Sequence, residues 1–168
     1  MELVGGLICT WGFINFLQPV MTDATLDQFF VAEGEWPELD DYDAYLITGS
    51  PCSVNDEHPW IKKLHRFVRD SMESNKKLVG ICFGHQLIAN ALGGTVERRS
   101  DGWLLGVKSF DIVDVQSWMI PAQKQCEIHH INHDHVTVLP ENAKRIAHSG
   151  QCKNSAFVIG DSVLGLTG

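Results

Sequence analysis

Residues Lys77 to Leu92 constrain the fold of this chain more than any other stretch. Lys77-Leu78-Val79-Gly80-Ile81 shows no polar alternation after its first residue. That pattern predicts a central parallel strand buried on both faces. A helix begins near Phe83, continues through Gln86 to Leu92 and stops at Gly93-Gly94. Between strand and helix lies Gly80-x-Cys82-x-Gly84, the cysteine counterpart of the Gly-x-Ser-x-Gly turn. Such a turn holds its central residue in a strained conformation and lifts the side chain above the carboxyl edge of the sheet. The flanking glycines remove Cβ atoms that would strike the neighbouring strand and helix. A helix N-terminus directly after the cysteine favours thiolate over thiol. The bland alternative is a buried cysteine in a glycine-rich turn. The strand before it and the helix after it favour a nucleophile.

The rest of the chain alternates strand-like and helix-like segments. Leu3 to Cys9, Gln28 to Ala32 and Ala44 to Thr48 read as strands, and Trp11 to Leu17 as a short amphipathic stretch. His58 to Glu73 places Ile61, Leu64, Val68 and Met72 at helical spacing, with Pro59 suited to the first turn. Val107 to Val113, Glu127 to Ile131, Ser155 to Ile159 and Val163 to Leu166 are further strands. A βαβα opening predicts an α/β fold with a parallel sheet covered by helices, to which the later strands add a hairpin or an antiparallel edge. The 168 residues fit one domain, expected over 1–168.

Composition excludes several classes of function. A formal net charge of −8 disfavours nucleic acid, whose binding needs Lys and Arg against phosphates. No apolar run approaches the ~20 residues that span a membrane. The five cysteines are odd in number and form no Cys-x-x-Cys pair, so neither a disulfide framework nor a thiolate zinc site is expected. A reducing, cytoplasmic compartment is the natural expectation. There is no Gly-x-x-x-x-Gly-Lys phosphate loop and no dinucleotide fingerprint, and no cofactor is expected.

Gly80-Ile81-Cys82-Phe83-Gly84-His85-Gln86-Leu87-Ile88-Ala89 followed by Leu92-Gly93-Gly94 resembles the signature of class I glutamine amidotransferases, in their stand-alone, GMP-synthase-like branch. Tyr42 to Pro51 resembles that family's oxyanion strand and loop, Gly102-Trp103 with Leu105-Gly106-Val107 the segment after the nucleophile helix, and Asp134-x-Val136 with Leu139-Pro140 its His-x-Asp-x-Val…Leu-Pro stretch. The resemblance covers residues 28 to 166. It implies a three-layer, flavodoxin-like fold with a mostly parallel central sheet. It also implies a small-molecule substrate: Cys82 would attack the side-chain amide of glutamine, form a γ-glutamyl thioester and release ammonia. Carried over by position, the backbone N–H groups of Ser50 and Phe83 would form the oxyanion hole. Gly49, Gln86, His133 and Asp134 would bind substrate. Any ammonia acceptor or synthetase would be a separate protein.

The family pattern also asks for His-Pro-Glu directly after the strand that here reads Val163-Leu164-Gly165-Leu166-Thr167-Gly168, and those residues are not in this sequence. The loop after the first strand is short as well. The expectation is therefore a longer encoded protein. On the other view, a natively short protein, glutaminase activity would be weak or absent. Where the family has His before x-Asp-x-Val, this chain has Asn132-His133-Asp134-His135-Val136.

His129, His130, His133, His135 and Asp134 form the densest polar cluster, read first as histidines at the edge of a site, with a metal site or a replacement base as the other readings. No metal is assigned. His85 reads as a packing residue, because its helix leads away from the sulfur. Cys9, Cys52, Cys126 and Cys152 read as structural, Cys52 lying close to the oxyanion loop. Three functions remain open: ammonia delivery from glutamine, hydrolysis of γ-glutamyl peptides by the same thioester chemistry, and a glutaminase-like binding domain without turnover.

Overall fold

The computed structural model describes the backbone of residues 2–5 and 10–168 and the side chains of residues 12–168. Strand β1 (Glu2–Gly5) leads to helix α1 (Thr10–Leu17), strand β2 (Gln28–Phe30) with a 3-10 turn at Val31–Glu33, strand β3 (Ala44–Ile47) and helix α2 (Pro59–Glu73). Strand β4 (Lys77–Ile81) and helix α3 (Phe83–Ala91) follow. The second half is almost all strand: β5 (Thr95–Arg98), β6 (Leu104–Ile112), β7 (Gln125–Asn132), β8 (Asp134–Val138), β9 (Lys144–His148), β10 (Ala156–Ile159) and β11 (Val163–Leu166). The first strand expected over Leu3 to Cys9 is described as β1; Gly6 to Cys9 lie outside the described residues.

The main sheet runs β2-β1-β3-β4-β11-β10-β9-β6-β7, and β5 pairs with β8 in a separate ribbon. From β2 to β11 every pairing is parallel, in the 2-1-3-4 order of a doubly wound core. From β11 onward every pairing is antiparallel. The expectation of a mostly parallel sheet is therefore corrected to a mixed α/β sheet. The reason lies in connection length. A parallel return needs a crossover of a dozen or more residues, and only residues 160–162 separate β10 from β11.

Helix α2 forms as its periodicity predicts. Pro59 occupies its first turn, and Ile61, Leu64, Phe67, Val68 and Ser71 are buried along one face. Burying each large apolar side chain contributes about 1.5–3 kcal/mol. Helix α3 is different, because nearly its whole circumference is buried, from Phe83 to Ala89. It lies against α2 and the β3–β4–β11 part of the sheet, with β5 and β8 on its flank. An enclosed helix has no polar side to give, which is why its sequence is so apolar.

Strand β4 departs from expectation on one face. Leu78 and Gly80 are buried beneath α3, whereas Val79 and Ile81 are half-buried. Three strands had no clear sequence signal: β5, β8 and β9. Each is short and carries charged or polar residues beside its buried ones, such as Lys144 and Arg145 ahead of Ile146 and Ala147. Among the described residues, no helix is long and apolar enough to cross a membrane.

Candidate active site

Cys82 sits between β4 and α3 with φ 57° and ψ −108°, a conformation that L-residues rarely adopt. Holding it there costs on the order of 1–3 kcal/mol, which the surroundings must over-determine. They do so with three hydrogen bonds. The Cys82 N–H donates to the Leu166 carbonyl at 3.0 Å, tying the turn to β11. The Gly84 N–H donates to Thr48 O at 3.2 Å, tying the helix start to the end of β3. The Gln86 N–H donates to Cys82 O at 3.2 Å and opens the helix.

Both flanking glycines are required by space. A Cβ on Gly84 would lie 2.7 Å from the Ile47 carbonyl carbon and closer still to its oxygen. A Cβ on Gly80 would lie 2.5 Å from the Gly84 carbonyl carbon and 2.7 Å from Ile88 Cδ1. The first turn of α3 therefore packs directly on the backbone of β3 and β4. That contact forces the cysteine to the edge of the sheet.

The loop after β3 passes beside the sulfur. A Cβ on Gly49 would be 3.9 Å from Cys82 Sγ, so a side chain at this position would touch the thiol. The Ser50 Oγ accepts the Cys52 N–H at 3.2 Å and shapes the turn. Phe83 opens α3, so its N–H has no acceptor within the helix.

Above these residues lies a cleft of about 710 Å³. Its lining includes all seven residues picked from the sequence: Gly49, Ser50, Cys82, Phe83, Gln86, His133 and Asp134. Ile81 and Leu166 come from the sheet, Phe13 from α1, and Ile128, His129, Ile131 and Asn132 from β7. Gly168 also lines it, and its carbonyl accepts from Asn132 Nδ2 at 3.0 Å.

The far wall is tied together by polar contacts. Gln86 Nε2 donates to the Asp134 carbonyl at 3.0 Å, so part of its amide is occupied within the protein. Arg98 Nε donates to the Asp134 carboxylate at 3.2 Å. The Asp134 side chain is only 9% exposed and that of Arg98 is 64% exposed. Trp103 stacks on His133 with ring centroids 4.8 Å apart. Arg98 was invisible in the sequence because β5 itself was. Trp103 is more than half exposed and lines the cleft. Trp36 and Trp60, by contrast, pack against the core.

The histidine cluster does not converge. His129 and His130 belong to β7 in the main sheet, and His135 to β8 in the separate ribbon. Among the described residues, these histidines and Asp134 do not bring three ligand atoms within 4.8 Å of one another. His130 is buried beside Asn132, 3.3 Å from Nδ1 to Nδ2, and burial pushes its pKa down. Burial also lowers His135. His85 is fully enclosed, packed on Phe157 and on Gly165, and burial pushes its pKa down to about 4. The Asn154 backbone lies near its ring and raises it slightly, but neither ring nitrogen makes a hydrogen bond of ordinary geometry. His85 is thus a neutral core residue beneath β11.

Known proteins resemble the chain in sequence and in fold. Residues 20–165 match the family model described as glutamine amidotransferase class-I. The chain is 36% identical over 152 residues to "Gamma-glutamyl peptidase 4" of Arabidopsis thaliana, which covers 84% of this chain and 60% of that protein. It is 34% identical over 129 residues to a subunit of the glutamine-hydrolyzing GMP synthase of Sulfolobus acidocaldarius, covering 74% of this chain and 64% of that one. The crystal structure of a glutamine amidotransferase from Thermotoga maritima superposes with a TM-score of 0.88 at 20% identity, over 99% of this chain and 74% of that chain. The present chain spans about three fifths of the length of the curated relatives it matches. With the family model matching from just after α1 into β11, the chain belongs to the class I glutamine amidotransferase family.

Proposed function

We propose that this chain carries the nucleophile of an enzyme that cleaves the γ-carbonyl amide bond of glutamine or γ-glutamyl compounds. The observation that carries the reading is Cys82: a strained cysteine lining a 710 Å³ cleft, between two glycines whose place a side chain cannot take without displacing backbone. The positive end of α3 favours the thiolate. The sulfur attacks the γ-carbonyl carbon, and the developing oxyanion is met by the N–H groups of Ser50 and Phe83. Each such donor contributes about 3 kcal/mol of transition-state stabilisation. Collapse of the tetrahedral intermediate breaks the C–N bond, the leaving nitrogen takes up a proton equivalent to the one the Cys82 thiol gave up, and a γ-glutamyl thioester remains on Cys82. Water then attacks the thioester and glutamate is released. Gln86, His133 and Asp134 stand on the wall where the amino acid end of the substrate would rest.

The end of β11 lies at the floor of the same cleft. Leu166 lies beside Ile81, and Gly168 lines the cleft.

Between the two substrate classes, the cleft volume favours a γ-glutamyl compound larger than glutamine. A space of 710 Å³ falls in the range that holds drug-sized ligands. The relative from Arabidopsis thaliana named as a gamma-glutamyl peptidase supports the same choice. The test pairs labelling with turnover. A glutamine analogue bearing an electrophile at the γ position should add once to the protein, as read by intact mass, and not to Cys82→Ala. Release of glutamate from γ-glutamyl dipeptides should then exceed release of ammonia from glutamine. Absence of the adduct would leave a binding domain without turnover. Faster ammonia release would return the reading to an amidotransferase that feeds a separate acceptor protein.

A further inference from the structure

The loop between β3 and α2 gathers a second set of reactive side chains beyond Ser50 in the chain. Cys52 Sγ, an Asp56 carboxylate oxygen and a His58 ring nitrogen all lie within 4.8 Å of one another. We propose that these three side chains form a site for a borderline divalent transition ion of the zinc type.

The donor set fits such an ion. Thiolate, carboxylate and imidazole are the three ligand types that zinc takes, at about 2.0–2.3 Å, in a tetrahedron whose fourth position is left to water. Two anionic ligands balance the charge of a dication and outweigh the positive end of α2 nearby. A magnesium or calcium ion would instead demand an oxygen shell, which Cys52 and His58 cannot supply.

The loop is also built in advance. Asp56 Oδ2 accepts the Ser53 N–H at 2.8 Å, which fixes the carboxylate and leaves its second oxygen free. The Asp56 N–H donates to Ser53 O, and the Asn55 N–H to Ser53 Oγ. Asn55 Nδ2 donates to Val96 O at 3.0 Å and pins the loop to β5, while Val54 is buried in the core. His58 occupies the N-cap of α2, yet its side chain makes no capping hydrogen bond. Its ring stacks instead over Trp60 at an interplanar angle of 14°. Ordering entropy has therefore been spent before an ion arrives.

Place in the fold gives the site a consequence. Cys52 lines the same cleft as Cys82 and lies two residues from Ser50. An ion held by Cys52 would fix the segment carrying the Ser50 N–H, which couples metal occupancy to the cleft. The site itself stands whether or not Cys82 turns over substrate.

Cobalt(II) titration of the Cys82→Ala protein tests the proposal without reading activity and without the competing thiol. One Co²⁺ should bind per chain with a near-ultraviolet sulfur-to-cobalt charge-transfer band. Cys52→Ser should abolish the band. The exposed substitutions Asp56→Asn and His58→Gln should each weaken binding by about tenfold or more, since losing a group that merely orients a ligand already costs about 10–100-fold. Circular dichroism of each variant confirms folding. No charge-transfer band, a band that survives Cys52→Ser, or an affinity unmoved by either Asp56→Asn or His58→Gln would overturn the assignment.

Discussion

His85 makes acid stability the most direct test of the core beneath the elbow. Its ring is fully enclosed between α3, Phe157 and Gly165, and burial lowers its pKa from 6.5 to about 4. In the folded chain it therefore stays neutral over a range in which the unfolded chain takes up a proton. The sign follows directly. Above pH 6.5 both states are neutral and His85 has no pH-linked effect. As pH falls from 6.5 towards 4, the unfolded state binds the extra proton and stability is lost. Below about 4 both states are protonated and the loss is constant. Each pH unit inside that window costs about 1.4 kcal/mol, so acidification from pH 7.5 to 4.5 should cost about 2–3 kcal/mol from this residue. His130, His135 and other groups also titrate, so the informative quantity is a difference between proteins. His85→Leu keeps an apolar side chain in the site and removes the titration. The stability of wild type relative to His85→Leu, from urea unfolding followed by tryptophan fluorescence, should fall by about 2–3 kcal/mol between pH 7.5 and 4.5. In thermal melts the same change would amount to roughly 5–10 °C. A relative stability constant to within about 0.5 kcal/mol would mean that the imidazole is solvated or partnered, and the packing of α3 on β11 would have to be redrawn.

Three further substitutions probe the elbow and its wall, with Gly150→Ala as a control. Gly84→Ala drives a Cβ into the Ile47 backbone and should cost more than about 3 kcal/mol, whereas Gly150→Ala meets nothing within 4 Å and should stay within about 0.5 kcal/mol; urea midpoints of the two compared at one pH decide it. Cys82→Gly relieves a positive φ and should raise stability by about 1 kcal/mol while abolishing reaction with the γ-electrophile; a lower melting temperature would show that the turn is not strained. Arg98→Ala removes the cation beside the Asp134 carboxylate, but Arg98 is well solvated. The loss of stability should be no more than about 1 kcal/mol by urea unfolding, and a larger value would show the pair to be desolvated.

Much of the candidate site was legible in the sequence because its demands are local. Gly80-x-Cys82-x-Gly84 needs small residues at fixed spacing between an apolar strand and an apolar helix, and those requirements appear as letters in a row. The loop bearing Gly49 and Ser50 was legible as well, since it follows a recognisable strand. Less was legible wherever position depends on pairing. Arg98 reaches the cleft because β5 pairs with β8, and neither short strand stands out among its charged neighbours. The four histidines and Asp134 looked like one cluster in sequence; the passage from β7 to β8 divides them, with His129 and His130 in the main sheet and Asp134 and His135 in the ribbon. The parallel character of the sheet was overestimated for the same reason, since the opening βαβα pattern says nothing about how later strands return. The sequence by itself determined the elbow, the buried helix behind it and the identity of the residue presented to the cleft, because sterics between near neighbours set all three. Tertiary structure alone decided the far wall, the burial of His85 and the meeting of Cys52 with Asp56 and His58, because those depend on which surfaces long-range packing brings together and closes to water.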